Sequence, residues 1–411
     1  MAEDDRTDWN GHHKGSAAYS RLLAALALAG VATFAQLYSV QATLPQIATE
    51  LHISASLAAL SISAATVGLA VAVIPWSFIA DRIGRVKAMT IGICAATALG
   101  LILPLCTELP ALLAVRLLEG MALGSIPALA VAYLNEEVHK LYAAVAAGSY
   151  VAGTTIGGLL GRLVSGVVSD FAGWRFGTLA ASLLATLAAV AFLMLLPKQR
   201  GFVRARGKGI GPALTLLASL CKDQRLLALY AQAFLLMGGF VALYNYLGFR
   251  LMAPPFLLPA GLIAFIFLAY LAGTFTSRWG AAMTVRLGRR AVLLSSIAIM
   301  AAGILITIPD NLAAVLIGVI VLTGGYFAAH SVGSGWTGAI AVSGRAQAAS
   351  LYNLAYYLGS SVIGWAGGLV FQSFGWPALA LLVAGLTLLA GLLNFLAHRG
   401  RPQTTTTATA L

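Results

Sequence analysis

Charged residues are scarce in this chain. Asp, Glu, Lys and Arg make up 9% of its 411 residues, against about 25% in an average soluble domain. Hydrophobic residues account for 60% of the chain and are spread over almost its whole length. The composition therefore excludes a soluble protein and indicates a polytopic membrane protein.

Cysteine is almost absent, and so are the sequence patterns of enzyme active sites. Cys94, Cys106 and Cys221 offer neither a metal-ligand spacing nor an even disulfide framework. We interpret all three as free thiols and expect no metal and no cofactor. The chain contains no H-E-x-x-H and no G-x-S-x-G sequence, which argues against a membrane-embedded enzyme.

The cations of the chain are placed in a way that predicts topology. The net charge is +12, but its Lys and Arg residues fall in short gaps between apolar runs, so we expect no nucleic-acid partner. All but four of the 25 lie on one side of the membrane if both termini are cytoplasmic, the exceptions being Arg116, Arg162, Arg175 and Arg250. Because cytoplasmic loops carry an excess of Lys and Arg, we predict cytoplasmic termini in a bacterial inner (plasma) membrane.

Twelve apolar runs are long enough to cross a bilayer as helices. The first six are predicted at about Leu22–Leu44, Leu57–Ile79, Ala88–Cys106, Pro110–Leu134, Tyr142–Val168 and Phe176–Leu196. The second six are predicted at about Leu226–Leu247, Phe256–Thr276, Ala291–Ile308, Leu312–Ser331, Ala346–Val370 and Pro377–Ala397. The predicted organisation is a disordered cytoplasmic tail (1–20), a six-helix bundle (21–197), a basic cytoplasmic linker (198–225), a second bundle (226–397) and a disordered cytoplasmic tail (398–411).

The two halves resemble each other in sequence. A shift of 202 residues places Gly173 and Trp174 on Gly375 and Trp376, and a shift of 204 places Gly84 on Gly288. Matches at a nearly constant offset and at equivalent loops indicate a duplicated transporter fold. We therefore expect an all-α membrane protein of two pseudo-symmetric six-helix bundles.

The loop after the second span carries a family resemblance. Ser77 to Lys87 reads SFIADRIGRVK and resembles the signature loop of the major facilitator superfamily. Gly84 permits a turn that a side chain would hinder, while Asp81 is able to pair with Arg82 or Arg85. The resemblance implies a cytoplasmic gate loop formed by these four residues; the alternative is a loop that only sets topology.

The fourth span contains a pair of opposite charges. LAVRLLEG, at Leu113 to Gly120, resembles a second motif of the superfamily, whose Arg is associated with proton coupling. Arg116 and Glu119 are three residues apart and share a helix face. Pairing would offset part of the cost of burying each charge, which is about 2.5 to 3.5 kcal/mol on insertion scales. We predict that Glu119 carries the proton and that its protonation releases Arg116 to engage an anionic or hydroxylated cargo; a purely structural ion pair or interfacial snorkelling is the alternative.

The fifth span carries a glycine motif of exporters. SYVAGTTIGGLLG, at Ser149 to Gly161, resembles the antiporter motif, represented by Gly153, Gly157 and Gly158, with Thr154 in place of its usual Pro. A small-residue stripe also explains these glycines by close helix packing. Together with LYSVQATLP at Leu37 to Pro45, the motifs look like the acriflavine-sensitivity (YnfM-type) inner-membrane efflux permeases. This resemblance covers about residues 22–397 and implies a proton-coupled efflux permease.

Polar residues within the expected cavity-lining spans point to the cargo. The predicted cavity residues are Tyr38, Gln41, Arg162, Tyr244, Asn245 and His330. Each is alternatively a hydrogen-bonding residue between helices, His330 is alternatively an interfacial residue, and Arg162, which lies on the fifth span, outside the expected cavity-lining spans, is alternatively a residue that snorkels outward. The first span carries no acid between Arg21 and Glu50, so we predict neutral or anionic cargo, with amphiphilic drugs as a secondary possibility.

The expected mechanism is alternating access of a monomer, with protons and a small molecule as its partners besides the lipid bilayer. Two bundles rock about a site near the bilayer midplane, and proton entry drives efflux. Uptake by proton symport is the main alternative. A channel or sensor on the same scaffold is the more distant one.

Overall fold

Long helices dominate the computed structural model, which describes residues 9–202, 216–341 and 343–399. Within these ranges, eleven helices have the length and apolar composition needed to cross a membrane. They are α1 (Ala17–Glu50), α2 (Ala55–Ile83), α3 (Arg85–Leu105), α4 (Leu109–Glu137), α5 (Lys140–Ala172), α6 (Trp174–Leu195), α7 (Gln224–Met252), α8 (Ala260–Leu287), α9 (Arg289–Ile306), α10 (Leu312–Ile340) and α11 (Arg345–Ala397).

The last helix accounts for the twelfth predicted span. α11 is 53 residues long, but Gly375 inside it has φ 75° and ψ −172°, a conformation outside the α-helical region. The two arms on either side of Gly375 contain the predicted spans at 346–370 and 377–397. The prediction of a twelve-helix membrane fold is confirmed.

The backbone repeats at the positions that the sequence offset aligns. Gly84, between α2 and α3, has φ 96°, and its counterpart Gly288, between α8 and α9, has φ 79°. Gly173, between α5 and α6, has φ 84° and corresponds to Gly375. Only a residue without Cβ adopts these values at little cost. Glycine is therefore required at two turns in each half of the duplicated fold.

The first span is a discontinuous helix. Its α-helical part Ala17–Leu37 ends before a short 3₁₀ segment, Gln41–Thr43, and a second α-helix continues over Leu44–Glu50. Such a break removes backbone carbonyls from the helical hydrogen-bonding ladder, and inside a membrane they need other donors. α8 is interrupted similarly by a 3₁₀ segment over Phe265–Ala269.

The chain divides into two compact units. The first comprises Met1–Lys208, Val241–Leu268 and Ser360–Trp376, and the second comprises Gly209–Phe240, Ala269–Gly359 and Pro377–Leu411. The first unit therefore contains the first six spans together with segments of α7, α8 and α11 from the second repeat. Its core joins α1, α3, α4, α5 and α6 through buried side chains that include Leu26, Ile93, Tyr133, Tyr150 and Phe192.

Part of the predicted N-terminal tail bonds to the end of α4. α1 begins at Ala17, and Ser16 caps it by accepting a hydrogen bond from the Tyr19 backbone N–H. The His12 backbone N–H donates to the Glu137 carbonyl (2.7 Å), and the His139 N–H donates to the His12 carbonyl (3.2 Å). The described part of this segment therefore completes backbone hydrogen bonds at the end of α4, and the disorder of the tail stays a prediction.

Acidification is expected to loosen this N-terminal segment. Burial, with a smaller effect of Arg200, lowers the pKa of His12 from its ordinary value of 6.5. The released segment therefore binds a proton more readily than the docked one, and docking weakens as pH falls below about 6.5. Hydrogen–deuterium exchange at residues 9–14, corrected for the intrinsic exchange rate, should rise at acidic pH in the wild type.

Two variants control this measurement. His12→Asn should remove the pH dependence, whereas His52→Asn, at a different histidine outside the spans, should leave it unchanged. Exchange that is independent of pH in the wild type would contradict a role of His12.

A buried polar network in the first unit

Arg116 and Glu119 form a fully buried ion pair. Arg116 Nη1 lies 2.6 Å from Glu119 Oε2, and the two side chains are 0% and 1% exposed. The remaining donors of Arg116 bond to backbone carbonyls: Nη1 to Gln36 (3.1 Å), Nη2 to Leu37 (2.5 Å) and Nε to Ser61 (3.1 Å). The carbonyls of Gln36 and Leu37 belong to the break in α1, so this guanidinium stabilises the discontinuous helix.

The other oxygen of Glu119 lies beside Gly100 of α3. Glu119 Oε1 and Gln36 Nε2 are both buried and have no hydrogen-bond partner among the described residues. A Cβ on Gly100 would lie 3.1 Å from Glu119 Oε1 and 2.8 Å from Gln36 Nε2. A side chain at position 100 would therefore crowd Glu119 Oε1, an acceptor, and Gln36 Nε2, a donor.

Arg162 lies within the protein and does not extend toward lipid. Its side chain is 2% exposed, and its guanidinium carbon lies 4.0 Å from the Tyr38 ring centroid and 5.1 Å from that of Phe267. Nε donates to Gln41 Oε1 (2.6 Å) and Nη1 donates to the Gly158 carbonyl (2.6 Å). Arg162 thus combines aromatic and hydrogen-bonding contacts from α1, α5 and α8.

Gln41 extends this arrangement to α7. Its amide Nε2 donates to Asn245 Oδ1 over 2.7 Å, and Asn245 is 1% exposed. The neighbouring Tyr244 ring stacks on Phe267 at 5.4 Å. Five of the six predicted cavity residues therefore come together in the first unit.

The sixth predicted cavity residue belongs to the second unit. His330 on α10 has its Nδ1 3.2 Å from the Tyr352 hydroxyl. Its ring lies 4.9 Å from the Tyr356 ring and 6.0 Å from the Tyr326 ring. His330 is thus part of an aromatic cluster of its own, a surrounding that fits the interfacial interpretation.

The predicted gate loop is mostly helical. Ser77 to Ile83 is the end of α2, and only Gly84 separates it from α3, whose first residue is Arg85. Arg85 pairs with Asp81 (2.6 Å) and with Glu136 on α4 (3.0 Å), whereas Arg82 is exposed. These contacts join α2, α3 and α4, and the gating role stays a prediction.

The glycine stripe of α5 packs against α1. A Cβ on Gly153 or Gly157 would collide with the backbone of Ala27 or Val31. Gly158 lies beside this stripe and accepts the Arg162 hydrogen bond through its carbonyl. Close packing therefore accounts for the stripe, and the exporter interpretation stays a prediction.

Gly157→Ala is expected to destabilise the protein by about 1–3 kcal/mol, the usual cost of overpacking a tight contact. The reason is that α1 must move to admit the methyl group. Gly148→Ala is the matched control, because its Cβ would meet nothing within 4 Å. Thermal unfolding of the two purified variants measures the difference; equal melting temperatures would contradict the tight contact.

Sequence reasoning missed several residues of this network. Glu137 Oε1 accepts the backbone N–H groups of Arg200 and Gly201, each at 2.7 Å, and so fixes the start of the linker. Ser361 of α11 bonds to Thr66 of α2 through their hydroxyl groups at 2.6 Å. Two consecutive acids at the end of an apolar run were a usable signal for Glu137, but lone serines carry none.

Comparisons with known proteins agree with this architecture. A model of the Major Facilitator Superfamily matches residues 26–285 and 281–410. The chain is 36% identical to the inner membrane transport protein YnfM of Escherichia coli (strain K12), over 94% of this chain and 92% of that protein. It is 35% identical to the uncharacterized MFS-type transporter YybF of Bacillus subtilis (strain 168), over 92% of this chain and 93% of that protein.

A solved structure shares the fold at much lower sequence identity. The crystal structure of a bacterial homolog to human lysosomal transporter Spinster, inward-facing and occupied, superposes with a TM-score of 0.77. It is 15% identical, and the match covers 92% of this chain and 97% of that chain. At this identity the likeness concerns the fold alone.

Proposed function

The chain belongs to the major facilitator superfamily and is a multi-pass membrane transporter; from this premise we propose that it exports a small organic molecule in exchange for protons. The predicted likeness to the YnfM-type group is confirmed by the relatives it matches. The proposed location is the bacterial inner membrane, with both termini cytoplasmic and the chain acting as a monomer.

The observation that carries this proposal is the surrounding of Glu119. A carboxylate buried in a membrane span is costly, and Glu119 offsets the cost with a single ion pair while its Oε1 remains unpartnered among the described residues. A group held in this way is suited to gain and lose a proton. Because Arg116 also bonds to the break in α1, a change in the charge of Glu119 acts on this discontinuous helix.

This arrangement changes the predicted role of Arg116. Protonation of Glu119 leaves Arg116 with three backbone acceptors, from Gln36, Leu37 and Ser61. Arg116 therefore couples the proton to α1 and does not turn toward the cargo. The cargo contact is proposed for Arg162, with Tyr38, Gln41, Tyr244 and Asn245 around it.

The charge of this site favours neutral or anionic cargo. Arg162 is a buried cation between aromatic rings, and a lipophilic cation next to it would be repelled. Amphiphilic drugs without positive charge stay a secondary possibility.

The experiment has two stages. A thermal-shift screen of the purified protein against sugars, organic acids and dyes identifies a stabilising compound. Proteoliposomes then carry that compound under imposed proton gradients of either sign. Flux opposite to the proton flow supports export, flux along it establishes proton symport, and flux that ignores the gradient refutes proton coupling.

A further inference from the structure

Three hydrogen-bonded polar side chains, called here the Arg162–Gln41–Asn245 series, connect both repeats within the first unit. Arg162 of α5 donates to Gln41 of α1, and Gln41 donates to Asn245 of α7, at 2.6 and 2.7 Å. All three side chains are at most 3% exposed. Close by, a Cβ on Gly248 of α7 would lie 3.3 Å from Pro45 of α1. The two helices are therefore tightly packed near the Gln41–Asn245 hydrogen bond.

Asn245, the last residue of the Arg162–Gln41–Asn245 series, retains an unused donor. Asn245 Nδ2 is buried and has no hydrogen-bond partner among the described residues. An unsatisfied buried amide N–H costs about 1–3 kcal/mol. A donor in this position suits an acceptor that arrives with the cargo.

The acceptors that Arg162 Nε and Nη1 use are neutral amide and backbone oxygens. A carboxylate adds the attraction of opposite charges to its hydrogen bonds with a guanidinium, which a neutral oxygen does not, and it engages the planar group through both oxygens. The Tyr38 and Phe267 rings beside the guanidinium add apolar surface for a hydrophobic cargo body. The local chemistry therefore favours a carboxylate attached to an aromatic or similarly apolar body.

We propose that a cargo carboxylate displaces Gln41 from Arg162 and accepts a hydrogen bond from Asn245 Nδ2. This exchange breaks the Gln41–Asn245 hydrogen bond and so allows α1 to separate from α7. This proposal rests on the proposed function, since it narrows the cargo of the same site to organic carboxylates. The cargo then triggers the opening of the side of the membrane at which α1 ends with Glu50 and α7 with Met252.

Cysteine labelling measures the opening directly. Ala48, 7% exposed, lines a cavity of about 450 Å³ at that side, together with Phe249 and Gln372. The reporter is Ala48→Cys in a background whose three native cysteines are replaced by Ser. A membrane-impermeant maleimide added from that side reacts with the introduced thiol in proportion to the open population.

The probe ligands are benzoate and its neutral isostere benzamide. Benzoate should accelerate labelling about tenfold, the factor that one hydrogen bond to a charged group contributes to an equilibrium. Benzamide should leave the rate unchanged. With Arg162→Gln, benzoate should have no effect.

Two leucine variants test, without any ligand, whether the Gln41–Asn245 hydrogen bond holds α1 against α7. Gln41→Leu should label about tenfold faster than the reporter alone, because it removes the Gln41–Asn245 hydrogen bond that joins α1 to α7. Gln46→Leu is the matched control: Gln46 also lies on α1, but its Nε2 donates to Ser169 of α5 (3.1 Å) and not to α7. Asn245→Leu should behave like Gln41→Leu and shows the same effect from the other partner.

Three results overturn the proposal. They are equal acceleration by benzamide and benzoate, no acceleration by benzoate, and labelling of both Gln41→Leu and Asn245→Leu at the rate of Gln46→Leu. None of them bears on proton-driven flux, so export stands or falls separately in the proteoliposome experiment. Conversely, if flux in proteoliposomes does not depend on the proton gradient, the labelling experiment still tests whether a carboxylate opens α1 from α7.

Discussion

Proteoliposomes containing Glu119→Gln are expected to lose proton-driven flux completely while exchange of cargo across the membrane continues. Glutamine preserves the shape of the side chain and still accepts the Arg116 Nη1 hydrogen bond, which spans 2.6 Å in the wild type. It cannot take up a proton. The conformational cycle therefore remains available to cargo, but the proton gradient has no group on which to act.

The comparison that isolates this effect uses a second glutamate beside the same helix. Glu108 directly precedes α4 and is exposed, so Glu108→Gln should transport like the wild type. Flux is followed as cargo movement and as proton movement in the same vesicles. Wild-type coupling in Glu119→Gln would exclude Glu119 as the proton carrier, and loss of exchange as well would indicate a structural role.

Arg116→Met is expected to be the most destabilising single substitution in the network. Removing one partner of a buried ion pair costs about 3–5 kcal/mol, and here the substitution also removes three hydrogen bonds to backbone carbonyls. The break in α1 then lacks its stabilising contact. Unfolding of the purified variant in mixed detergent micelles measures the loss of free energy of unfolding.

Arg175 provides a matched control for this prediction. It also combines an acid partner, Glu50 at 2.9 Å, with two carbonyl acceptors, but its side chain is 30% exposed and that of Glu50 is 47% exposed. An exposed pair contributes about 1 kcal/mol or less, so Arg175→Met should be mild. The double variant Arg116→Met with Glu119→Leu should recover part of the stability, because it removes the uncompensated charge. Equal losses for Arg116→Met and Arg175→Met would show that the buried pair does not stabilise the fold.

Local sequence patterns predicted the membrane fold well. Each long apolar run became a span, and the aligned glycines 84, 173, 288 and 375 mark equivalent turns. The structure adds detail at segment ends, where the His12 backbone bonds to Glu137 and His139 and where the motif at 77–87 is helical up to Ile83. At such ends, hydrogen bonds to distant residues decide the conformation, and a single sequence does not reveal them.

The candidate site was predicted in part. The i, i+3 spacing predicted the Arg116–Glu119 contact, because that relation lies within one helix. Arg162 and Gln41 are 121 positions apart in the sequence, and Gln41 and Asn245 are 204 positions apart. Their polarity marked them as candidates, but their mutual contact depends on how α1, α5 and α7 pack.

The amino-acid sequence alone determined that this chain crosses the membrane twelve times as a duplicated transporter, since hydrocarbon tolerates only long apolar helices and the duplication leaves a nearly constant offset. Only the tertiary structure decided that Arg116 bonds to the break in α1, that Arg162 lies between aromatic rings, and that His330 belongs to the other compact unit. The physical reason is that burial in a bilayer demands a partner for each polar group without specifying which one, and helix packing makes that choice.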